Sequence, residues 1–135
     1  MSHNDGLSAS LELLSERAGD VTDVVYARLF AAYPDLESLF VMDTDGGVRG
    51  SMLSQAFDCL MDLAEGPGVM AETVIRSERA NHDTYDVPAG MFEVFFEIIH
   101  DVTKRAAGSD WSPLMEAAWA SVLADASRLS QPLPA

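Results

Sequence analysis

Apolar residues recur at helical spacing along almost the whole chain, and this constrains the fold more than any other feature. Leu114, Met115, Ala118, Trp119, Val122, Leu123, Ala126 and Leu129 form a stripe two residues wide. Met52, Leu53, Ala56, Phe57, Leu60, Met61 and Ala64 repeat that pattern, as do Met91, Phe92, Phe95, Phe96, Ile99 and Val102. Steps of three and four residues put such side chains on one face of an α-helix, whereas a half-buried strand needs strict alternation. No segment reads as a strand, and no repeat or low-complexity tract interrupts the pattern. The spacing predicts an all-α fold of six or seven helices in a single domain, residues 1–135, with 1–7 and 130–135 as frayed tails.

Breakers and caps divide the helices. Leu11, Leu14 and Ala18 predict a short first helix capped by Ser8 or Ser10 and ended by Gly19. Asp20 caps a second helix with Val21, Val24, Val25, Leu29 and Ala32 on one side, and Pro34 ends it and begins a short turn to Phe40. Asp43 to Gly47 reads as a solvated turn. After Gly66 and Gly68 a weaker helix runs from Val69 to about His82, and Asp86-Val87-Pro88 opens a long one closed by Gly108. Asp110 caps the last helix, with Pro113 in its first turn.

Composition narrows the function classes. An apolar share of 48% is too high for a disordered chain, and 135 residues can bury a core without a disulfide or structural metal. Eight Lys and Arg stand against 22 Asp and Glu, a net charge of −14. That balance argues against nucleic acid, which is held by Lys and Arg on phosphates, and against an anionic membrane surface. The lone Cys59 forms no internal disulfide and leaves no cysteine-based zinc site. No run reaches the ~18 apolar residues of a membrane span, and Met1 to Gly6 lacks the apolar core of a signal peptide. A soluble, cytoplasmic protein is expected, with no room for a fused reductase domain.

Common catalytic motifs are missing: no GxSxG, HExxH, P-loop or GxGxxG occurs. Asp43 and Asp45 begin like a calcium loop, but no Glu follows at its twelfth position. Of the three histidines, His3 lies in a tail and His100 among core-type residues. His82 ends a helical stretch, where a histidine ordinarily serves the helix dipole.

The surroundings of His82 carry a resemblance. Val25-Tyr26-Ala27-Arg28-Leu29-Phe30, then Pro34-Asp35-Leu36 and Leu39-Phe40, resemble the second helix and following corner of the bacterial globins. Asn81-His82, followed by Tyr85 and Val87-Pro88, is similar to their proximal region, and Ala118-Trp119 stands where they carry an Ala-Trp pair. The spacing from Phe40 to His82 is also similar, and the likeness covers about residues 8 to 129. It implies a globin-like fold around haem b, without a reductase domain.

By this resemblance His82 is the proximal ligand of the haem iron, leaving the sixth position open for a gas. Phe40 is implied to stack on the porphyrin, with Tyr85 and Val87 as further contacts beside His82. Tyr26 matches the distal tyrosine, whose phenol O–H donates to a gas guest carrying partial negative charge. The third helix leaves two registers open. With Leu53 over the iron, Arg49 takes the polar distal place; with Met52 there, Val48 takes it. An Arg49 in that place can swing in toward the guest or out toward a haem propionate.

Two features depart from the family. Glu78 stands one turn before His82, where an apolar residue is usual, and could accept the ligand's second ring N–H. Phe92 occupies the position of a tyrosine that supports the proximal histidine in the detoxifying relatives. The resemblance thus implies a haem protein that reversibly binds oxygen or nitric oxide, more an oxygen-binding protein than an enzyme. Its expected partners are the diatomic gas and a separate reductase, with neither nucleic acid nor membrane, and the protein is either a monomer or a homodimer. Two alternatives stand beside it: a haem-free regulatory module of globin fold, and a nitric oxide dioxygenase or peroxidase working with that reductase. The acidic surface predicts a redox partner with a basic face.

Overall fold

The computed structural model describes the backbone of residues 3–66, 68–84 and 91–130, and the side chains of 5–66, 68–77 and 93–129. Among the described residues six α-helices follow one another: α1 (His3–Ala18), α2 (Thr22–Ala32), α3 (Gly47–Glu65), α4 (Val69–Thr84), α5 (Met91–Ala107) and α6 (Pro113–Ser130). Short 3-10 helices, Pro34–Phe40 and Gly108–Asp110, join α2 to α3 and α5 to α6. No strand occurs among the described residues. The all-α expectation and its helix count hold, and no described helix is long and apolar enough to cross a membrane.

Helix α6 is the hub. It packs against α1, α3, α4 and α5, while α2 lies against α5, α3 and the first 3-10 helix. The stripe read from the sequence explains this position: Met115, Ala118, Trp119, Val122, Ala126 and Leu129 are all buried. Close approach of α1 to α6 depends on Gly6, where a Cβ would come within 2.5 Å of the Leu114 carbonyl oxygen. Beside it, the buried Trp119 indole N–H donates to Ser10 Oγ at 2.9 Å, and that hydroxyl donates to the Leu7 carbonyl at 2.7 Å. At the other end of α1, Arg17 donates to the Ala106 and Ala107 carbonyls and pairs with Asp110. It thereby satisfies carbonyls that the end of α5 leaves without helical partners.

Several local expectations need correction. Helix α1 begins at His3, well before Ser8, and Leu7 is fully buried, so the expected fraying of 1–7 does not describe residues 5–7. Ser10 is no cap; it is an interior residue of the α1–α6 contact. On α2 the buried residues are Val25, Tyr26 and Leu29, whereas Val24 and Ala32 face outward. Asp20 does accept the Thr22 N–H at the start of α2. The last helix is capped by Ser112, whose hydroxyl accepts the Met115 N–H at 3.2 Å; Asp110 pairs with Arg17 instead. Residues 131–135 lie outside the described residues.

Candidate functional site

The functional side chains converge where α2, the first 3-10 helix, the start of α3 and α5 meet. Tyr26 stands at the centre, on the inner face of α2, and is 1% exposed. Its ring lies 5.8 Å from that of Phe30, 5.6 Å from Phe40 and 5.6 Å from Phe95, centroid to centroid. Phe30 and Phe40 are in turn 5.6 Å apart. The arrangement follows from local structure. Phe30 is one helical turn beyond Tyr26, and Pro34 stops α2 so that the 3-10 turn delivers Phe40 back onto it.

The Tyr26 hydroxyl is buried in this aromatic cluster and has no hydrogen-bond partner among the described residues. Burial pushes its ionisation far above the usual phenol range; the Arg49 charge opposes that effect and the Asp43 charge adds to it. The group is therefore a neutral O–H donor at any physiological pH. A buried hydroxyl left without a partner costs on the order of 1–3 kcal/mol.

Asp43 organises the neighbouring loop. It is a buried carboxylate and not the solvated turn residue that its polar neighbours suggested. Its Oδ1 accepts the Val48 N–H at 2.9 Å, and its Oδ2 accepts the Arg49 N–H at 3.0 Å, so it caps α3 from outside the helix. Gly46, in the left-handed region at φ 74°, turns the chain between carboxylate and helix. The Arg49 side chain then closes on the same residue: Nε donates to Asp43 Oδ2 and Nη2 to the Asp43 carbonyl, each at 3.0 Å. Burial opposes ionisation of Asp43, yet these hydrogen bonds and the guanidinium charge outweigh it and hold the carboxyl below its usual range.

On the third helix Leu53 is buried, Met52 is half-buried and Val48 is 55% exposed. Arg49, one turn before Leu53, lines an open cleft of about 490 Å³ together with Tyr26 and Phe30. The structure thus brings Phe40 and Arg49 to Tyr26; Leu53 is a buried core residue one turn beyond Arg49, and Val48 is exposed. His82 falls in the last turn of α4. The side chains of His82, Glu78 and Phe92, and Tyr85 and Val87 altogether, lie outside the described residues. Reasoning from sequence missed Asp43 as part of this site. The available signal was an acidic residue just ahead of a helix start that has no side-chain cap of its own. Phe95 was visible only as a core residue.

The site has the chemistry to surround a flat apolar group with aromatic rings and to offer one neutral O–H donor to a small guest. The hydroxyl, without a partner among the described residues, is a single polar donor in the apolar surroundings of Phe30, Phe40 and Phe95. No curated protein and no solved structure matches the chain. A family model does: the globin model matches residues 23–128, which include all of the α2 to α5 site and most of α6. The chain belongs to the globin family.

Proposed function

We propose that this globin binds haem b through His82 and reversibly holds a diatomic gas, oxygen or nitric oxide, on the Tyr26 side. The observation that carries the reading is the buried Tyr26 hydroxyl, which has no partner among the described residues. When bound, the haem would supply an iron able to take up a diatomic gas.

The chain's own residues then have distinct tasks. Phe40, packed on Tyr26, would help hold the haem and exclude water from it. Tyr26 donates its O–H to the guest, and its raised ionisation keeps that proton in place. Leu53 closes the wall from α3 as an apolar neighbour. Reduction is assigned to a separate reductase, which makes gas binding a better description than turnover. The meeting of Phe40 and Arg49 at Tyr26 favours a haem-holding globin over a haem-free regulatory module.

Tyr26→Phe in the haem-loaded protein tests the role of the hydroxyl. Oxygen dissociation should speed up by about tenfold or more, the equivalent of one lost hydrogen bond of ~1.4 kcal/mol. An unchanged dissociation rate removes Tyr26 from the gas pocket.

A further inference from the structure

His100, on α5, is a titratable side chain that the proposed function does not use. Its ring packs against two tryptophans, 5.7 Å from Trp111 and 5.2 Å from Trp119, centroid to centroid. Its Nε2 is buried and has no hydrogen-bond partner among the described residues. The two tryptophans are held differently. Trp119 is fully buried and donates to Ser10 Oγ from the middle of α6. Trp111 is half-buried, in the short connection between the 3-10 helix Gly108–Asp110 and α6. Its indole N–H donates to Glu116 Oε2 at 2.6 Å, and the Lys104 ammonium stands 5.8 Å from its ring centroid. The Trp111 side chain is thus fixed by His100, Lys104 and Glu116, all of which carry or can take a charge.

Glu116 is the shared partner, since it also pairs with Lys104 at 3.4 Å. The Trp111 hydrogen bond and the Lys104 charge hold its carboxyl below the usual range, so it stays an anion in mild acid. Around His100, α6 contributes Glu116, and α5 itself contributes Lys104, Asp101 and Glu97. Helix α2, which lies against α5, brings Arg28, and that guanidinium is bound to Asp101, as is Arg105. Helix α1 brings Arg17, bound to Asp110. Of the carboxylates, Glu116 pulls hardest on the imidazole. A neutral ring fits this apolar seat. An imidazolium does not, because its Nε2–H would be a buried charged donor without an acceptor, which costs more than a neutral one.

We propose that His100, Glu116 and Trp111 form a proton-operated latch at the junction of α5 and α6: a protonated His100 takes Glu116 as its partner, and Trp111, released from both, turns out to solvent. The change is local. Trp119 stays tied to Ser10, and Asp110 stays tied to Arg17, so the hub helix keeps its place. The latch works in mild acid, where a histidine gains its proton while Glu116 keeps its charge. Burial lowers the ionisation of His100 in the closed form, so the open form binds the proton first and acid favours opening.

Nuclear magnetic resonance of the two indole N–H groups in the full chain, with a neutral gadolinium chelate as relaxation agent, reads the exposure of each tryptophan separately. Lowering the pH from about 7.5 to about 5 should raise the relaxation of the Trp111 indole proton several-fold and leave that of Trp119 unchanged. The midpoint should coincide with the titration of the His100 ring protons, identified by their contacts with both indoles. His100→Phe keeps an aromatic ring against the tryptophans and should abolish the rise. Glu116→Gln keeps an acceptor for the Trp111 N–H but removes the charge, and should move the midpoint to lower pH. No rise in the unaltered chain overturns the latch. So does a rise that persists in His100→Phe, and so does one shared equally by Trp119, which would report a general loosening of α6. A midpoint that differs from the His100 titration overturns it without any variant, even where His100→Phe does not fold. An unmoved midpoint in Glu116→Gln overturns Glu116 as the receiving group.

Discussion

The Trp119 indole N–H donates to the Ser10 hydroxyl at 2.9 Å and ties the middle of α6 to the first helix of the chain. Both residues are fully buried, and the hydroxyl in turn donates a hydrogen bond to the Leu7 carbonyl. Ser10→Ala leaves the indole N–H buried without a partner. The expected cost is about 1–3 kcal/mol, read as a lower urea midpoint at unchanged slope. Combining it with Trp119→Phe should cost less than the sum of the two, because the second change removes the stranded donor. Strict additivity would mean that the bond contributes nothing.

Tyr26→Phe should behave oppositely. Its hydroxyl has no partner among the described residues, so its removal takes away a burial penalty and keeps the ring contacts with Phe30, Phe40 and Phe95. Haem-free Tyr26→Phe is expected to match or exceed wild-type stability, in the range of 0 to about 2 kcal/mol. A clear loss of stability would reveal a structural partner for the hydroxyl. On the proposed function the same variant should hold gas less well, so stability and ligand retention should move in opposite directions.

Asp43 links the start of α3 to pH. Its folded-state ionisation lies below the ordinary carboxylate value, so the unfolded chain takes up the proton first as pH falls. The stability supplied by the charged carboxylate is therefore present above about pH 4 and is lost as pH drops through the lower folded value. Asp43→Asn should be less stable near neutrality, and its deficit should shrink in acid. Acid titration of both proteins, followed by circular dichroism, checks this; parallel curves contradict it.

His100 gives a second pH signature at milder acidity. Its ring lies 5.7 Å from Trp111 and 5.2 Å from Trp119, and Nε2 is buried without a partner among the described residues. Burial lowers its ionisation below the usual histidine value, against the pull of Glu116, Asp101 and Glu97 and with the help of Lys104. The unfolded chain then binds the proton first, so this contribution to stability falls as pH drops below about 6.5. His100→Phe keeps an aromatic ring between the tryptophans and removes the titration. Its stability relative to wild type should rise between about pH 8 and pH 5, and a constant difference would show that His100 does not titrate on unfolding.

The sequence made the helices legible because their signals are local and redundant. The α6 stripe, the Met52 to Ala64 stripe and the Phe-rich stripe each repeat over several turns, and glycines and Pro34 mark the gaps. Boundaries were less legible where tertiary contacts decide them. Leu7 and Ser10 belong to α1 because α6 covers them, which no cap residue announces. Asp110 resembles a cap, but Arg17, far away in sequence, claims its carboxylate, and Ser112 takes the capping role. At the site, Tyr26 and Phe40 were visible through the family motif. The choice between Val48 and Arg49 was not, because the loop before α3 is set by how Asp43 folds back onto the helix. That carboxylate looks like one more acidic turn residue until its partners are in view.

In the proposed function the chain holds one haem through His82. Titration of the purified full chain with hemin, followed by absorbance in the Soret region, tests it most directly. A sharp Soret band saturating at one haem per chain, and lost or displaced in His82→Ala, is the predicted result. No Soret band, or the same spectrum in His82→Ala, would contradict it.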